Sequence, residues 1–267
     1  MINKYKIATF ELIPYGIALF DKNHNIISYN KYFDLIFLLS KNKTNADFKS
    51  VELKYINTNK PKIKHLSTGK IIEYSFKILD SNNYIMFVLD VTENFLQDQD
   101  LYYKANYDQL TGIPNRSLFE DRFNQAITIS KRQNTKIAIL FIDLDDFKYI
   151  NDTYGHEAGD KVLITVSKRL LKYLRESDTV SRWAGDEFVI MLSDVKSIIN
   201  ISDLCERILK ELNKKITYSK KNISLSVSIG ISIYPDSSKS YLELIKNADR
   251  AMYKAKNSGK NKFIFYD

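Results

Sequence analysis

Three acidic residues lie where the sequence predicts that strands end. Asp143 follows a nearly continuous apolar run, residues 137–142, while Asp186 and Glu187 follow Gly185 in a short turn between two further runs. If those strands are neighbours in one sheet, the three carboxylates converge at one end of it. Clusters of carboxylate oxygens suit Mg²⁺, which completes its shell with water and substrate phosphates. Two such ions can support an in-line phosphoryl displacement.

The same acids are also typical of a polar hairpin with no catalytic role. In that interpretation Asp145 or Asp146 supplies only the N-cap of the next helix, because short polar side chains accept hydrogen bonds from the first helical N–H groups. Three isolated acids by themselves favour this structural interpretation. The surrounding residues decide between the two.

Five motifs occur around these acids in a fixed order. They read DQLTGIPNR at 108–116, DLDDFKYINDTYGHEAGD at 143–160, RWAGDEF at 182–188, SVSIGIS at 226–232 and ADRAMYKAKNSGKN at 248–261. Over about residues 105–267 the chain closely resembles the GGDEF family, the diguanylate cyclases. Five separate motifs in the same order do not arise readily by chance, so the resemblance outweighs the structural interpretation.

The resemblance implies a metal site that serves GTP. Asp143, the backbone carbonyl of Leu144 and Asp186 match the family's metal ligands, with two Mg²⁺ or Mn²⁺ ions expected per GTP site. Glu187 matches the second acid of the signature and supports that site. Asp186 or Glu187 is therefore the group expected to help deprotonate the attacking 3′-OH.

The resemblance also implies where the triphosphate binds. The backbone of Asp146, Phe147 and Lys148, with the Lys148 side chain, matches the family's phosphate-binding loop. Lys256 matches a phosphate-contacting lysine. Lys260 lies where the family usually has Arg, and it keeps the charge but lacks the bidentate geometry of Arg.

The guanine base is expected at Asn151 and Asp160, which match the pair that contacts its edge in the family. An Asp side chain accepts the N1–H and N2–H donors of guanine, whereas adenine offers no such pair of donors. Asp160 therefore favours GTP as the substrate.

The signature itself departs from the family at one position. Ala184 replaces its first glycine, and a left-handed backbone there would make Ala cost ~1 kcal/mol or more. Both acids of the motif are intact. The departure therefore lowers the expectation of activity only slightly.

An R-x-x-D segment precedes the signature. Arg175 and Asp178 have the spacing of the family's inhibitory product-binding site. Arg can clamp a phosphate and stack on a purine face. A helix-end salt bridge worth ~0–1 kcal/mol is the structural alternative, and the matching spacing favours the inhibitory site.

Composition limits the possible partners. The chain of 267 residues has 40 Lys+Arg against 32 Asp+Glu, for a formal net charge of +8. That balance alone fits nucleic acid, an acidic membrane surface or a phosphorylated small molecule. Most of the excess lies after residue 100, where phosphate contacts are implied at Lys148, Arg175, Lys256 and Lys260, so we expect no nucleic-acid partner.

Other features of the sequence indicate a cytoplasmic protein. Cys205 is the single cysteine, which excludes a disulfide scaffold. No apolar run approaches the ~18–20 residues of a membrane span. The first residues lack a long apolar segment, so we expect no signal peptide.

Strands and helices must position these residues. In the C-terminal half we predict strands at residues 137–142, 179–183, 187–192, 223–234 and 262–266, and helices at residues 156–174, 197–212 and 241–257. In the N-terminal half we predict strands at residues 16–20, 26–29, 71–78 and 84–89, and a helix at residues 30–39. The expected fold class is α/β (α+β).

Three regions follow from these elements. Residues 1–92 are expected to form an antiparallel sheet with short helices, and GIALFDKNHNIISYNKYF (16–33) and LDVTE (89–93) resemble a PAS sensor domain. Residues 93–107 form a helical connector, which either packs on its own domain or pairs with a second copy. Residues 108–267 form a palm-like, ferredoxin-like α/β sandwich.

The resemblance implies a diguanylate cyclase that condenses two GTP into cyclic di-GMP and two pyrophosphates. Because the two nucleotides must face each other antiparallel, a homodimer is expected, with control by the PAS-like domain, whose ligand is unknown, and by product feedback. The alternatives are a weak or inactive protein that acts as a cyclic di-GMP receptor, and one that binds GTP only for regulation.

Overall fold

A computed structural model describes residues 10–38, 51, 60–219 and 221–267. The chain forms two compact units, residues 1–101 and residues 102–267. Within the described ranges, no helix combines the length and the apolar character that crossing a bilayer requires. The division into a sensor domain, a connector and a catalytic domain at residues 92 and 107 stays a prediction.

The N-terminal unit is built on one antiparallel sheet, as predicted. Its strands have the order β2-β1-β5-β4-β3. They are β1 (Gly16–Asp21), β2 (Ile26–Tyr29), β3 (Lys62–His65), β4 (Ile71–Ile78) and β5 (Asn83–Asp90), and the short helix α1 (Lys31–Phe37) follows β2. The sequence pattern did not predict β3, which offers only one apolar residue, Ile63, and leaves it half exposed.

Helix α1 is shorter than predicted because side-chain and backbone geometry limit it at both ends. Asn30 is its N-cap and accepts the N–H of Phe33, while Leu38 takes a left-handed conformation just after the last turn. The predicted last helical residue, Leu39, lies outside the described residues. Helix α2 (Thr92–Asn106) follows β5 and has no buried residue.

The C-terminal unit holds a five-stranded sheet in the order β12-β11-β6-β8-β7, with a separate hairpin of β9 and β10. Only the β11–β12 pair in this sheet is parallel. The strands are β6 (Lys136–Leu144), β7 (Thr179–Ala184), β8 (Glu187–Val195), β9 (Ile216–Tyr218), β10 (Lys221–Ile223), β11 (Val227–Tyr234) and β12 (Lys262–Phe265). The helices are α3 (Arg116–Gln133), α4 (Phe147–Tyr154), α5 (His156–Leu171), α6 (Ile198–Leu212) and α7 (Tyr241–Asn257).

Strand β6 is buried on both faces, and its side chains alternate between two cores. Ala138, Leu140 and Ile142 belong to the cluster that includes residues of α5 and α6. Ile139 and Phe141 belong to the cluster that includes residues of α3 and α7. Because side chains alternate along a strand, the series continues through Asp143 on the α7 side.

Helix α7 packs unusually close to β11. A Cβ on Gly230 would overlap the backbone carbonyl oxygen of Ala248 and the backbone nitrogen of Met252. Glycine therefore permits this close approach of helix to strand. The consequence is that Lys256, near the end of α7, is held beside the end of β6.

The sequence pattern was wrong about several boundaries here. The strand predicted over residues 223–234 is two strands, since the Ser226 carbonyl accepts a hydrogen bond from Asp145 N instead of continuing a ladder. Helix α5 ends at Leu171, three residues before the predicted end. Helix α3 was not predicted, and for α4 the sequence indicated no bounds, only a possible N-cap at Asp145 or Asp146.

Candidate functional site

The three predicted acids converge at one end of the sheet. Strands β6 and β8 are antiparallel neighbours, and Asp143 lies directly opposite Glu187. The backbone N–H of Leu144 donates to the carbonyl oxygen of Asp186 over 3.4 Å. The two strands are therefore neighbours in one sheet, which the predicted convergence of the three acids required.

The tight turn before Glu187 depends on glycine at one position only. Gly185 has a φ of 50°, in the left-handed region, whereas Ala184 does not have a positive φ. The alanine in place of the family's first glycine therefore carries no left-handed strain. A methyl group at this exposed position is accommodated.

Lys256 neutralises part of the charge in this pocket. Its Nζ lies 2.7 Å from Asp143 Oδ1, so the two side chains form a close ion pair in which the carboxylate is buried. Burial raises the pKa of Asp143 above its ordinary value, and the charge of Asp186 adds to the rise while Lys256 opposes it.

The donor set fits a divalent cation. Burial also raises the pKa of Glu187, and the charges of Asp143, Asp249 and Asp186 raise it further. Carboxylates crowded in this way are stabilised in their charged form by a nearby positive charge. Within the described ranges, no group of three or more His, Cys, Asp or Glu side chains is arranged to hold a metal, so a cation would also need backbone, water or phosphate oxygens.

Asp145 has a structural role that sequence reasoning missed. It is buried, and its carboxylate accepts hydrogen bonds from the hydroxyls of Ser226 at 2.7 Å and Ser228 at 2.8 Å. It also accepts the backbone N–H of Asn261 at 3.3 Å. The alternating serines of the SVSIGIS motif were the available signal, since buried hydroxyls require partners.

The suggested N-cap by Asp145 or Asp146 is wrong. Asp146 occupies the N-cap position of α4, but its φ is 57° and its side chain makes no capping hydrogen bond. Instead, Lys260 Nζ donates to both carboxylate oxygens of Asp146 at 2.7 Å. The structure thus brings together two residues of the predicted phosphate site, and Lys148 is exposed beside them.

The predicted guanine contacts lie on the helical hairpin of α4 and α5. Asn151 is on α4, and its side chain packs against Gly159 on α5. Asp160 is the next residue along α5 and is exposed. Phe147 is buried beneath this crossing. The hairpin therefore places the amide and the carboxylate near one another.

The predicted inhibitory segment is a turn in which the two residues differ in role. Asp178 accepts the backbone N–H of Arg175 at 3.0 Å and that of Ser193 at 3.2 Å. Among the described residues, the Arg175 guanidinium has no hydrogen-bond or ion-pair partner. The alternative of a salt bridge between the two side chains is therefore wrong in this structure.

Arg175 lines a small cleft of about 80 Å³ that also includes Tyr173 and Arg207. Arg207 was not predicted from the sequence, because it lies on α6, far from the R-x-x-D segment along the chain. Two arginines and an aromatic ring in one cleft form a surface that suits a phosphorylated purine.

Arg182 joins the signature turn to the start of the C-terminal unit. Its Nε donates to the carbonyl oxygen of Gly185 at 2.8 Å, and its Nη1 contacts both carboxylate oxygens of Asp108 at 3.1–3.2 Å. Both side chains are largely buried. Burial opposes ionisation, yet hydrogen bonds from Thr111 and the charge of Arg182 hold the pKa of Asp108 below its ordinary value.

Comparison with known proteins identifies a family and several relatives for the C-terminal unit. Residues 105–262 match the family described as "Diguanylate cyclase, GGDEF domain". The bifunctional diguanylate cyclase/cyclic di-GMP phosphodiesterase MucR of Pseudomonas aeruginosa is 39% identical over 170 residues, 64% of this chain and 25% of MucR. The diguanylate cyclase TpbB of the same species is 38% identical over 179 residues, 65% of this chain and 41% of TpbB.

A solved structure shares the fold of the C-terminal unit. The GGDEF domain of YfiN, also called TpbB, from Pseudomonas aeruginosa superposes with a TM-score of 0.58 at 37% identity, over 59% of this chain and 98% of that domain. The predicted palm-like α/β architecture is confirmed. This chain spans between a quarter and about two fifths of the length of the two curated relatives.

Proposed function

We propose that this chain, which belongs to the GGDEF family of diguanylate cyclases, condenses two GTP into cyclic di-GMP with release of two pyrophosphates. The observation that carries the proposal is the convergence of Asp143, Asp186 and Glu187 at one end of the sheet, beside Lys256. A receptor that had lost catalysis would not need this set of acids.

The reaction assigns a role to each group in the pocket. The 3′-oxygen of one GTP attacks the α-phosphorus of the other, the bond to the β-phosphate oxygen breaks, and pyrophosphate leaves. Asp186 or Glu187 accepts the proton of the 3′-OH. The raised pKa of Glu187 brings its proton affinity closer to that required of a general base at neutral pH.

The remaining groups bind and orient the nucleotide. Asp143, the carbonyl of Leu144 and Asp186 would hold Mg²⁺ or Mn²⁺, which when bound stabilises negative charge on the phosphates. The backbone of Asp146, Phe147 and Lys148 binds the triphosphate, together with Lys256 and Lys260. Asn151 and Asp160 contact the guanine edge.

Ring closure requires two chains, because each holds one GTP and the two nucleotides must face each other. Helix α2 has no buried residue, and its exposed Leu96, Leu101 and Tyr102 lie on different sides of the helix. The homodimer is therefore proposed from the requirement of ring closure and not from a single apolar face. The PAS-like unit would then regulate the spacing of the two catalytic units, and cytoplasmic location stays a prediction.

A cyclic di-GMP receptor without turnover is the second candidate. The Arg175 guanidinium lies in a cleft with Arg207 and has no partner in the part of the chain that the structure describes, which favours a site for the product. In an active enzyme the same site supplies feedback inhibition. Turnover, and not product binding, therefore separates the two candidates.

The test is incubation of the purified chain with GTP and Mg²⁺ after removal of bound cyclic dinucleotide and after crosslinking into dimers. We expect two pyrophosphates per cyclic di-GMP, and no cyclic product from ATP. Cyclic di-GMP binding without any turnover would support the receptor. GTP binding with neither product would indicate a purely regulatory role for the nucleotide.

A further inference from the structure

Helices α4 and α5 cross where α5 has no side chain. Gly159 is buried in the first half of α5, and a Cβ there would overlap Asn151 Oδ1 on α4. The same Cβ would lie 3.0 Å from Asn151 Cγ and 3.2 Å from Phe147 Cζ. The amide of Asn151 thus occupies the space that any other residue at position 159 would fill.

The backbone of Gly159 gives no reason for glycine. Its φ is not positive, and a glycine inside a helix is less favourable than alanine. The atom that a Cβ at position 159 would meet first is Asn151 Oδ1, at the end of a side chain that can rotate. A Cβ at position 230 would instead meet backbone atoms, which cannot rotate away. The fold could therefore accept alanine at position 159 if the Asn151 amide moved.

We propose that Gly159 is a positioning residue for base recognition: because it has no side chain, the Asn151 amide can keep the orientation that contacts guanine, next to Asp160. This inference rests on the proposed function. An amide has a carbonyl oxygen that accepts and an NH₂ that donates. Its contribution to base recognition therefore depends on its rotation.

Gly159→Ala separates a role in recognition from a role in folding. We expect the melting temperature to stay the same or rise, because alanine favours the helix. We expect affinity for GTP to fall by about tenfold, which corresponds to ~1.4 kcal/mol, as one hydrogen bond to the base is lost. The preference for GTP over ATP should fall with it.

The decisive experiment is a double-mutant cycle in the full chain with Asn151→Ala. Removing the amide removes the obstruction, so Gly159→Ala should have no further effect on GTP affinity in the Asn151→Ala background. Trp183 is the single tryptophan and lies three residues before Asp186. Its fluorescence can report Mg²⁺–GTP binding through a signal that does not depend on product formation.

The possible failures are distinct. If the wild type does not bind GTP, the proposed function fails. If the wild type binds GTP and Gly159→Ala binds it equally well, or weakens binding equally with and without Asn151, the inference is overturned. Unfolding of Gly159→Ala at the temperature of the assay would also overturn it, since the glycine would then serve the fold.

Discussion

Asp143 and Glu187 face each other across the antiparallel strands β6 and β8. The other residues that pair between these two strands are almost all buried and apolar. A slip of one residue would turn those side chains to the opposite face. The apolar packing of the sheet therefore holds the two acids side by side although their charges repel each other.

The ion pair of Asp108 with Arg182 predicts a pH-dependent contribution to stability. Asp108→Asn should lower the free energy of unfolding of the C-terminal unit by about 2 kcal/mol at neutral pH, because a charged hydrogen-bond acceptor is lost. The folded-state pKa of Asp108 is below its ordinary value of 3.8. The ion pair therefore stabilises the wild type in full above pH 3.8, and this stabilisation is lost as the pH falls through the lower folded-state pKa of Asp108.

Urea unfolding followed by Trp183 fluorescence between neutral and acidic pH measures this difference. The matched control is Asp236→Asn, which breaks an exposed ion pair with Lys136 and should change stability by only ~0–1 kcal/mol. A difference between wild type and Asp108→Asn that stayed constant down to acidic pH would contradict the assignment.

Replacing Arg175 with alanine should relieve inhibition by cyclic di-GMP and leave stability within ~0.5 kcal/mol, since its guanidinium is exposed. Initial rates at increasing product concentration measure the effect. Lys210→Ala, on the exposed surface of α6, should leave inhibition as it is in the wild type. Unchanged inhibition of Arg175→Ala would remove the inhibitory-site assignment. Asp178 is a poorer probe, because it also holds the turn through two backbone N–H groups.

Gly230→Ala should destabilise the C-terminal unit by about 1–3 kcal/mol or more through overpacking. The new methyl group would overlap backbone atoms of Ala248 and Met252, and α7 could accept it only by moving off the sheet. The melting temperatures of Gly230→Ala and Gly159→Ala can be compared directly. The Asn151 side chain that obstructs a Cβ at position 159 can rotate away, whereas the backbone atoms around position 230 cannot. Equal melting temperatures for the two variants would show that α7 is not held by this contact.

The sequence was most informative where one periodic pattern was strong. The unbroken apolar run before Asp143 and the glycine turn before Glu187 each predicted a strand end, and the structure joins them as neighbours. The placement of α7 was also predicted to the residue. Local pattern and tertiary packing agree in these segments, so propensity was not overridden.

Side-chain contacts between distant segments could not be predicted in the same way. The link from Asp108 to Arg182 and the hydrogen bonds from Ser226 and Ser228 to Asp145 join residues far apart in the sequence. Helix α3 was not predicted, because its sequence is mostly polar and only a few of its residues are buried. Such features depend on tertiary packing, which periodicity does not contain.

The most direct test of the central claim compares the products formed from GTP and Mg²⁺ by the wild type, Asp186→Asn and the control Asp203→Asn, which changes an exposed acid on α6. Chromatography with mass spectrometry should detect cyclic di-GMP from the wild type and the control, and none from Asp186→Asn at an unchanged melting temperature. Cyclic di-GMP from Asp186→Asn at the wild-type rate, or none from product-free crosslinked wild type, would contradict the account.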